Sequence, residues 1–236
     1  NDHVLDLCSN DSAYRNISIR WMQRVIDLTH NLAKMFGGPR PPLIITNVGG
    51  FTKTQHLSAN ERPAYYLRLL DSLKRLDTQD VEIIPQTMPP YPWHFGGQQY
   101  HNLFVDPDEI VNFCSTNNMR ICFDISHSKL ACNFADNNIV EFTKKVAPYC
   151  AHLHLADASG LDGEGLQIGE GDIDWPLVAE TLTKHAPQAS FIPEIWQGHK
   201  NNGEGFWFAL EKLEAIFKDV ANRSQSQTPK VLDKVG

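Results

Sequence analysis

Long apolar runs are missing from this chain of 236 residues. No stretch approaches the roughly 18 residues that a membrane-spanning helix needs, and the start, Asn1-Asp-His-Val4, lacks the basic n-region of a secretory signal. Positive charge is also scarce, with 21 Lys+Arg against 28 Asp+Glu and a net charge of −7. Attraction to a phosphate backbone needs a basic surface, so nucleic acid is not expected as a partner. The five cysteines (Cys8, Cys114, Cys122, Cys132 and Cys150) are odd in number and widely spaced, with no CxxC pair. That points away from a disulfide framework or structural zinc and toward small buried side chains in a reducing compartment. Internal repeats, low-complexity runs and a P-loop are absent. Gly49-Gly50 lacks the rest of a dinucleotide fingerprint and reads as a strand-to-loop turn. A soluble cytoplasmic protein with no membrane contact is the expectation.

Strand and helix signals alternate throughout. Six short apolar runs read as strands: Val4–Cys8, Pro42–Val48, Val81–Ile84, Met119–Phe123, Ala151–Leu155 and Phe191-Ile192. Between them lie helical patterns with readable starts. Ser58-x-x-Glu61 has capping-box spacing, Asp106-Pro-Asp-Glu109 reads as an N-cap with proline at the first helical position, and Asp174 opens another helix. Strict strand–helix alternation predicts an α/β fold with a parallel sheet and helices outside it. A barrel of the TIM (β/α)8 type needs eight such units, so the pattern predicts one lacking about two N-terminal units, with an open edge to be covered by a missing segment or another copy of the chain. The domain is expected over residues 1–221, with a polar tail over 222–236.

The residues with chemical potential fall at the ends of these runs. Asp124 ends an apolar strand, where a carboxylate is costly unless paired or metal-bound, and His127 follows after a turn. His152 and His154 stand two apart and so share a face; His154 lies nearer the strand's carboxyl end, while His152 is expected a layer deeper in a supporting role. Asp157 either orients His154 or begins the loop. Glu194 ends the last strand. Carboxylates mixed with imidazole suit a divalent metal in Lewis-acid chemistry. After Gln86, a loop rich in aromatics, including Trp93, His94 and His101, could form a lid over a sugar ring. Gly169-Glu170-Gly171 either approaches a ligand or turns the chain into the Asp174 helix.

Asp124-x-x-His127, His152-x-His154-Leu-x-Asp157, Gly169-Glu-Gly-x-Ile-Asp-Trp175 and Glu194, in this order and spacing, resemble the xylose-isomerase-like TIM barrels. That superfamily includes sugar-phosphate isomerases and epimerases, ketose 3-epimerases and endonuclease IV. The resemblance implies one divalent metal ion (Mn, Zn, Mg or Co) on Asp124, His154 and Glu194, with His127 toward substrate. The family's fourth ligand is a glutamate, and its place falls on Gln86, because Glu82 lies four residues too early. An amide oxygen can coordinate but cannot take a proton at neutral pH, which weighs against two-base epimerisation.

The expected function is metal-dependent isomerisation or epimerisation of a small sugar, by proton abstraction next to a carbonyl with Glu194 or His127 moving the proton. An endonuclease IV-like phosphodiesterase is the first alternative. Its extra loop histidine is missing from Gly160-Leu-Asp-Gly-Glu-Gly-Leu-Gln167. A non-catalytic carbohydrate-binding barrel is the second alternative.

Overall fold

A computed structural model describes residues 3–94 and 97–226. Its elements, in chain order, are α1 (Ser12–Phe36), β1 (Leu43–Thr46), β2 (Phe51–Thr52), α2 (Arg62–Lys74), β3 (Glu82–Pro85), β4 (Trp93–His94), β5 (Gly97–Gln98), β6 (Tyr100–His101) and α3 (Pro107–Asn117). There follow β7 (Ile121–Asp124), α4 (Ile125–Ala135), α5 (Ile139–Val146), β8 (Cys150–Leu155), β9 (Asp157–Ser159), β10 (Gly163–Leu166), α6 (Trp175–His185), β11 (Ser190–Pro193) and α7 (Lys200–Ser226).

Five of these strands form the parallel scaffold. β1 pairs with β3, β7 with β8, and β8 with β11. A parallel bridge between Gln86 and Cys122 joins the two groups, giving the order β1-β3-β7-β8-β11. The other six strands are short antiparallel pairs in the connecting loops: β2 with β6, β4 with β5, and β9 with β10. No closed barrel forms among the described residues.

The expected first strand over 4–8 is corrected. No ladder pairs it; a single backbone bond runs from Leu7 N to Val48 O, 2.9 Å. Side chains take its other backbone groups. Ser72 Oγ donates to Leu7 O, Arg68 Nε donates to Cys8 O, and the Asp6 carboxylate turns the chain by accepting from Cys8 N. Leu7 and Cys8 are fully buried, so the apolar signal was real although the strand geometry was not.

The helix starts follow their capping chemistry. Asp106 accepts from the amides of Asp108 and Glu109, and Asn138 from those of Val140 and Glu141. Glu61 reaches back to the Ser58 amide and hydroxyl as a capping box requires. One main apolar core lies between the strands and the helices, and includes Phe104, Phe123, Ile125, Leu155 and Trp175. All five cysteines are free, four of them buried and Cys150 half-buried. Among the described residues no helix is long and apolar enough to cross a membrane.

Candidate metal centre

Strand register brings the site together. Asp124 on β7 is directly opposite His154 on β8, and His154 is opposite Ile192 on β11. Glu194, two residues beyond Ile192, continues that face, and its amide still bonds to Leu155 O at 3.1 Å. The three side chains therefore converge at the carboxyl ends of neighbouring strands. His154 Nδ1 lies 2.6 Å from Glu194 Oε2 and 3.5 Å from Asp124 Oδ2. One donor atom from each residue lies within 4.8 Å of the others, a spacing that a single ion could bridge. Two carboxylate oxygens and an imidazole nitrogen suit a divalent cation such as magnesium, manganese or zinc, so the residues fit the implied metal.

The electrostatics agree. Burial alone would raise the Asp124 pKa, but the His127 and His154 charges and hydrogen bonds outweigh it and hold the carboxyl at about 2. Burial would lower both histidines, yet Asp124 and Glu164 push His127 up to about 9. Asp124, Cys122 and Glu194 together push His154 up to about 12. Asp124, Glu164 and Glu194 all pair with the two imidazoles, and a divalent cation can take the place of the proton that His154 shares with Asp124 and Glu194.

Asp124 also caps α4, accepting from His127 N at 2.9 Å. Cap and ligand site coincide, because one carboxylate oxygen serves the helix while the other faces His154. The same cap fixes His127, whose Nδ1 lies 2.9 Å from Thr87 O and 3.2 Å from Asp124 Oδ2. Its Nε2 points toward Glu164 on β10, at 3.4 Å. Gln86 reaches the cluster as anticipated, but with the opposite end. Its amide Nε2 donates to Asp124 Oδ2 at 2.9 Å and lies 3.1 Å from His154 Nδ1. A carboxylate neighbour selects the donor end of an amide, whereas a cation would select the oxygen. Glu82 is far from this end, bound to Arg120 at the opposite end of β3.

The other singled-out residues lie mostly away from the cluster. Asp157 does not hydrogen-bond to His154. It is fully buried and accepts from the amides of Ala158, Gly169 and Ile173 and from Trp175 Nε1, tying down the loop that follows β9. Glycines 169 and 171 belong to that turn, and a Cβ on Gly171 would stand 2.4 Å from Ala158 O. His152 is one layer below His154, with Nδ1 2.7 Å from Ser190 Oγ. Its ring meets that of His154 edge-on at 5.3 Å. His101 is buried with Nε2 at 3.1 Å from Asn47 Oδ1, and Trp93 is exposed; neither lines the cavity at the centre, because β6 pairs with β2 and carries His101 inward. The side chain of His94 lies outside the described residues.

That cavity, about 600 Å³, is lined by Asp124, Ser126, His127 and Glu164 on one side. Glu194, Trp196, Gln197, His199 and Lys200 form the other. Glu164 and the residues after Glu194 were not singled out from sequence. Their signal was a polar and aromatic run, Trp-Gln-Gly-His-Lys, directly beyond a strand end.

Parallel strands with helices outside, and donor residues gathered at the strands' carboxyl ends, define an α/β protein of the TIM-barrel class. The chain belongs to the xylose isomerase-like TIM barrel family, whose description matches residues 2–216. It is similar in fold to a D-tagatose 3-epimerase-like protein (TM-score 0.69, 19% identity, covering 93% of this chain and 76% of that one). An L-ribulose 3-epimerase gives a TM-score of 0.70 at 12% identity, covering 96% of this chain and 76% of that one. A xylose isomerase-like TIM barrel protein of Mycobacterium smegmatis, in complex with magnesium, gives 0.60 at 13% identity over 89% and 70% of the two chains. By sequence, an uncharacterized protein of Methanocaldococcus jannaschii is 39% identical over 74 residues. That match spans 31% of this chain and only 25% of the curated relative.

Proposed function

We propose that the protein is a divalent-metal-dependent isomerase or epimerase of a small sugar or sugar derivative. The observation that carries the reading is the convergence of Asp124, His154 and Glu194 at the ends of three neighbouring parallel strands, with Asp124 and Glu194 lining one cavity. The similarity in fold to sugar 3-epimerases supports the substrate class.

Asp124, His154 and Glu194 would hold the ion, with the Gln86 amide oxygen as a fourth donor after rotation of its amide. A bound divalent ion supplies Lewis acidity that polarises a carbonyl and acidifies the neighbouring carbon–hydrogen bond. The protein's own groups do the rest. Glu194, half-exposed to the cavity, is the carboxylate placed to take or return that proton. His127 is held by Thr87 O and Asp124 and presents Nε2 to the cavity, where it can donate to a substrate oxygen. Gln86 cannot carry a proton, so this reading favours chemistry with a single carboxylate base.

The test is metal analysis of the purified protein, followed by a panel of ketoses and aldoses assayed for isomerisation with manganese, magnesium, cobalt or zinc. Conversion of one sugar, lost in Glu194→Gln with the metal retained, is the expected result. Stoichiometric metal without conversion of any sugar would leave a binding protein instead. A Gln86→Glu variant should keep the metal and gain two-sided epimerisation.

A further inference from the structure

The wall of the cavity formed by residues 194–200 carries a charge that the metal chemistry does not use. Lys200 lines the cavity beside His199. Three carboxylates, Asp124, Glu164 and Glu194, share that cavity, yet Lys200 forms an ion pair with none of them. Its Nζ is held instead by a neutral acceptor, Gln197 Oε1, at 2.7 Å. Lys200 and Gln197 are both exposed, and an ammonium bonded to a neutral amide and not to a carboxylate keeps its charge available to a ligand in the cavity that it lines.

The backbone around Lys200 is unusual. Gln197, Asn201 and Asn202 have φ of +57°, +50° and +60°, so three non-glycine residues within six positions are left-handed. Each costs roughly 1–2 kcal/mol over an ordinary conformation, although asparagine tolerates the region better than most. The segment is nonetheless anchored at both ends of its cavity-facing part. Trp196 N donates to Gly165 O at 2.7 Å, Ile195 is buried, and Gly198 packs against Phe206 so closely that a Cβ there would stand 2.4 Å from the ring. Left-handed backbone kept beside a candidate site motivates a functional reading of the side chains that the segment carries.

We propose that Lys200, assisted by His199 and positioned by Gln197, forms an oxyanion subsite at the strap end of the cavity. This rests on the sugar-modifying reading above and narrows its substrate class to a sugar bearing a carboxylate or a phosphate. The carbonyl and hydroxyl end meets the Asp124–His154–Glu194 cluster, and the anionic end meets Lys200. An ammonium suits either anion as a point charge, with Gln197 released to bond elsewhere when the ligand arrives.

The experiment compares matched ligands on the manganese-loaded full chain by calorimetry at low salt. D-fructose is set against D-fructose 6-phosphate, and D-glucose against D-glucuronate. At least one anionic sugar should bind about tenfold or more tightly than its neutral partner, and the pair that shows the preference identifies phosphate or carboxylate. Lys200→Gln should bring that ratio to about one without changing manganese affinity, while Lys200→Arg should largely keep it. Equal binding within both pairs, or a ratio untouched by Lys200→Gln, would overturn the subsite while leaving the metal and sugar reading intact. If no sugar binds, that reading fails and the subsite is decided separately. Inorganic phosphate or acetate is then titrated into the protein without added metal, following the Gly198 and Lys200 amides by NMR. Saturable shifts lost in Lys200→Gln support it, and their absence rejects it.

Discussion

The two walls of the cavity are built on opposite plans. The wall after β8, residues 157–175, is organised from inside by one fully buried carboxylate, Asp157, which collects four donors from four points of the loop. The wall after β11, residues 194–203, has no such hub. It is held by short-range backbone bonds, by the latch from Trp196 N to Gly165 O, and by Gly198 packed on Phe206, and it stores left-handed backbone at Gln197, Asn201 and Asn202. The candidate metal donors differ likewise, with Asp124 and His154 almost fully buried at the ends of β7 and β8 and Glu194 half-exposed at the root of the second wall. On the proposed reading, the wall tied to Asp157 would help to fix the ion and the wall without a hub would meet the ligand.

The contrast is broken most severely at Asp157. Asp157→Ala leaves four donors, three of them buried, without an acceptor, and at about 1–3 kcal/mol for each unsatisfied buried group, moderated by entering water, the expected loss of stability is about 3–5 kcal/mol. Urea unfolding followed by tryptophan fluorescence reads it; a loss under about 1 kcal/mol would mean that the loop is held by other contacts.

Next in size is the division of the ligands. His154→Ala, which removes a buried donor, should weaken manganese binding by about 100-fold or more. Glu194→Gln, at the root of the second wall, should cost about tenfold. Calorimetry on the two variants decides the order, and equal losses would erase the distinction.

The pH dependence sharpens the comparison, because His127 bridges Asp124 to Glu164 on the first wall. Its folded pKa of about 9 stands above the ordinary 6.5, so its stabilisation is fully present below about pH 6.5 and is lost as pH rises through about 9. Asp124, at about 2 against 3.8, contributes above pH 3.8 and loses its contribution as pH falls toward 2. The urea midpoint of the metal-free protein should therefore fall between pH 6.5 and 9.5, and His127→Gln should make that limb shallower while His154, raised to about 12, keeps part of the slope. An unchanged slope in the variant would assign the dependence elsewhere. His154 is protonated in the metal-free centre at neutral pH, so metal binding should release a proton, visible as a buffer-dependent heat.

The smallest effect tests the strap. Asn201→Gly relieves a left-handed residue and should raise stability by up to about 1 kcal/mol, a few degrees in Tm, at some cost in ligand affinity. A loss of stability would show that Asn201 Nδ2, 2.8 Å from Glu204 Oε2, matters more than the backbone does.

Much of this was legible in the sequence where local chemistry decides. The caps at Asp106 and Asp174, the five parallel strands and the three metal-type residues at strand ends all follow from periodicity, capping geometry and the cost of an unpaired carboxylate on an apolar strand. The six-unit count was not right, because Val4–Cys8 has a strand's composition while its partners are side chains from α2 and the residues around Val48. Asp157 read equally as a prop for His154 or the start of a loop, and only three dimensions show donors from residues 158, 169, 173 and 175 closing on it. His101 and Trp93 looked alike as lid residues, but His101, on β6 paired with β2, is buried, while Trp93, on β4 paired with β5, is exposed.

Sequence by itself determined which residues can cap, pair or bind a cation, because those properties belong to side chains and their near neighbours. Tertiary structure decided which of them meet. Strand register placed Asp124 opposite His154 and brought Glu194 onto the same face, and the fold carried Lys200 to a cavity that it shares with Asp124 and Glu164, each more than thirty positions away in the chain. Contacts between distant positions depend on how whole strands align, and that information is spread over the fold rather than written in any one segment.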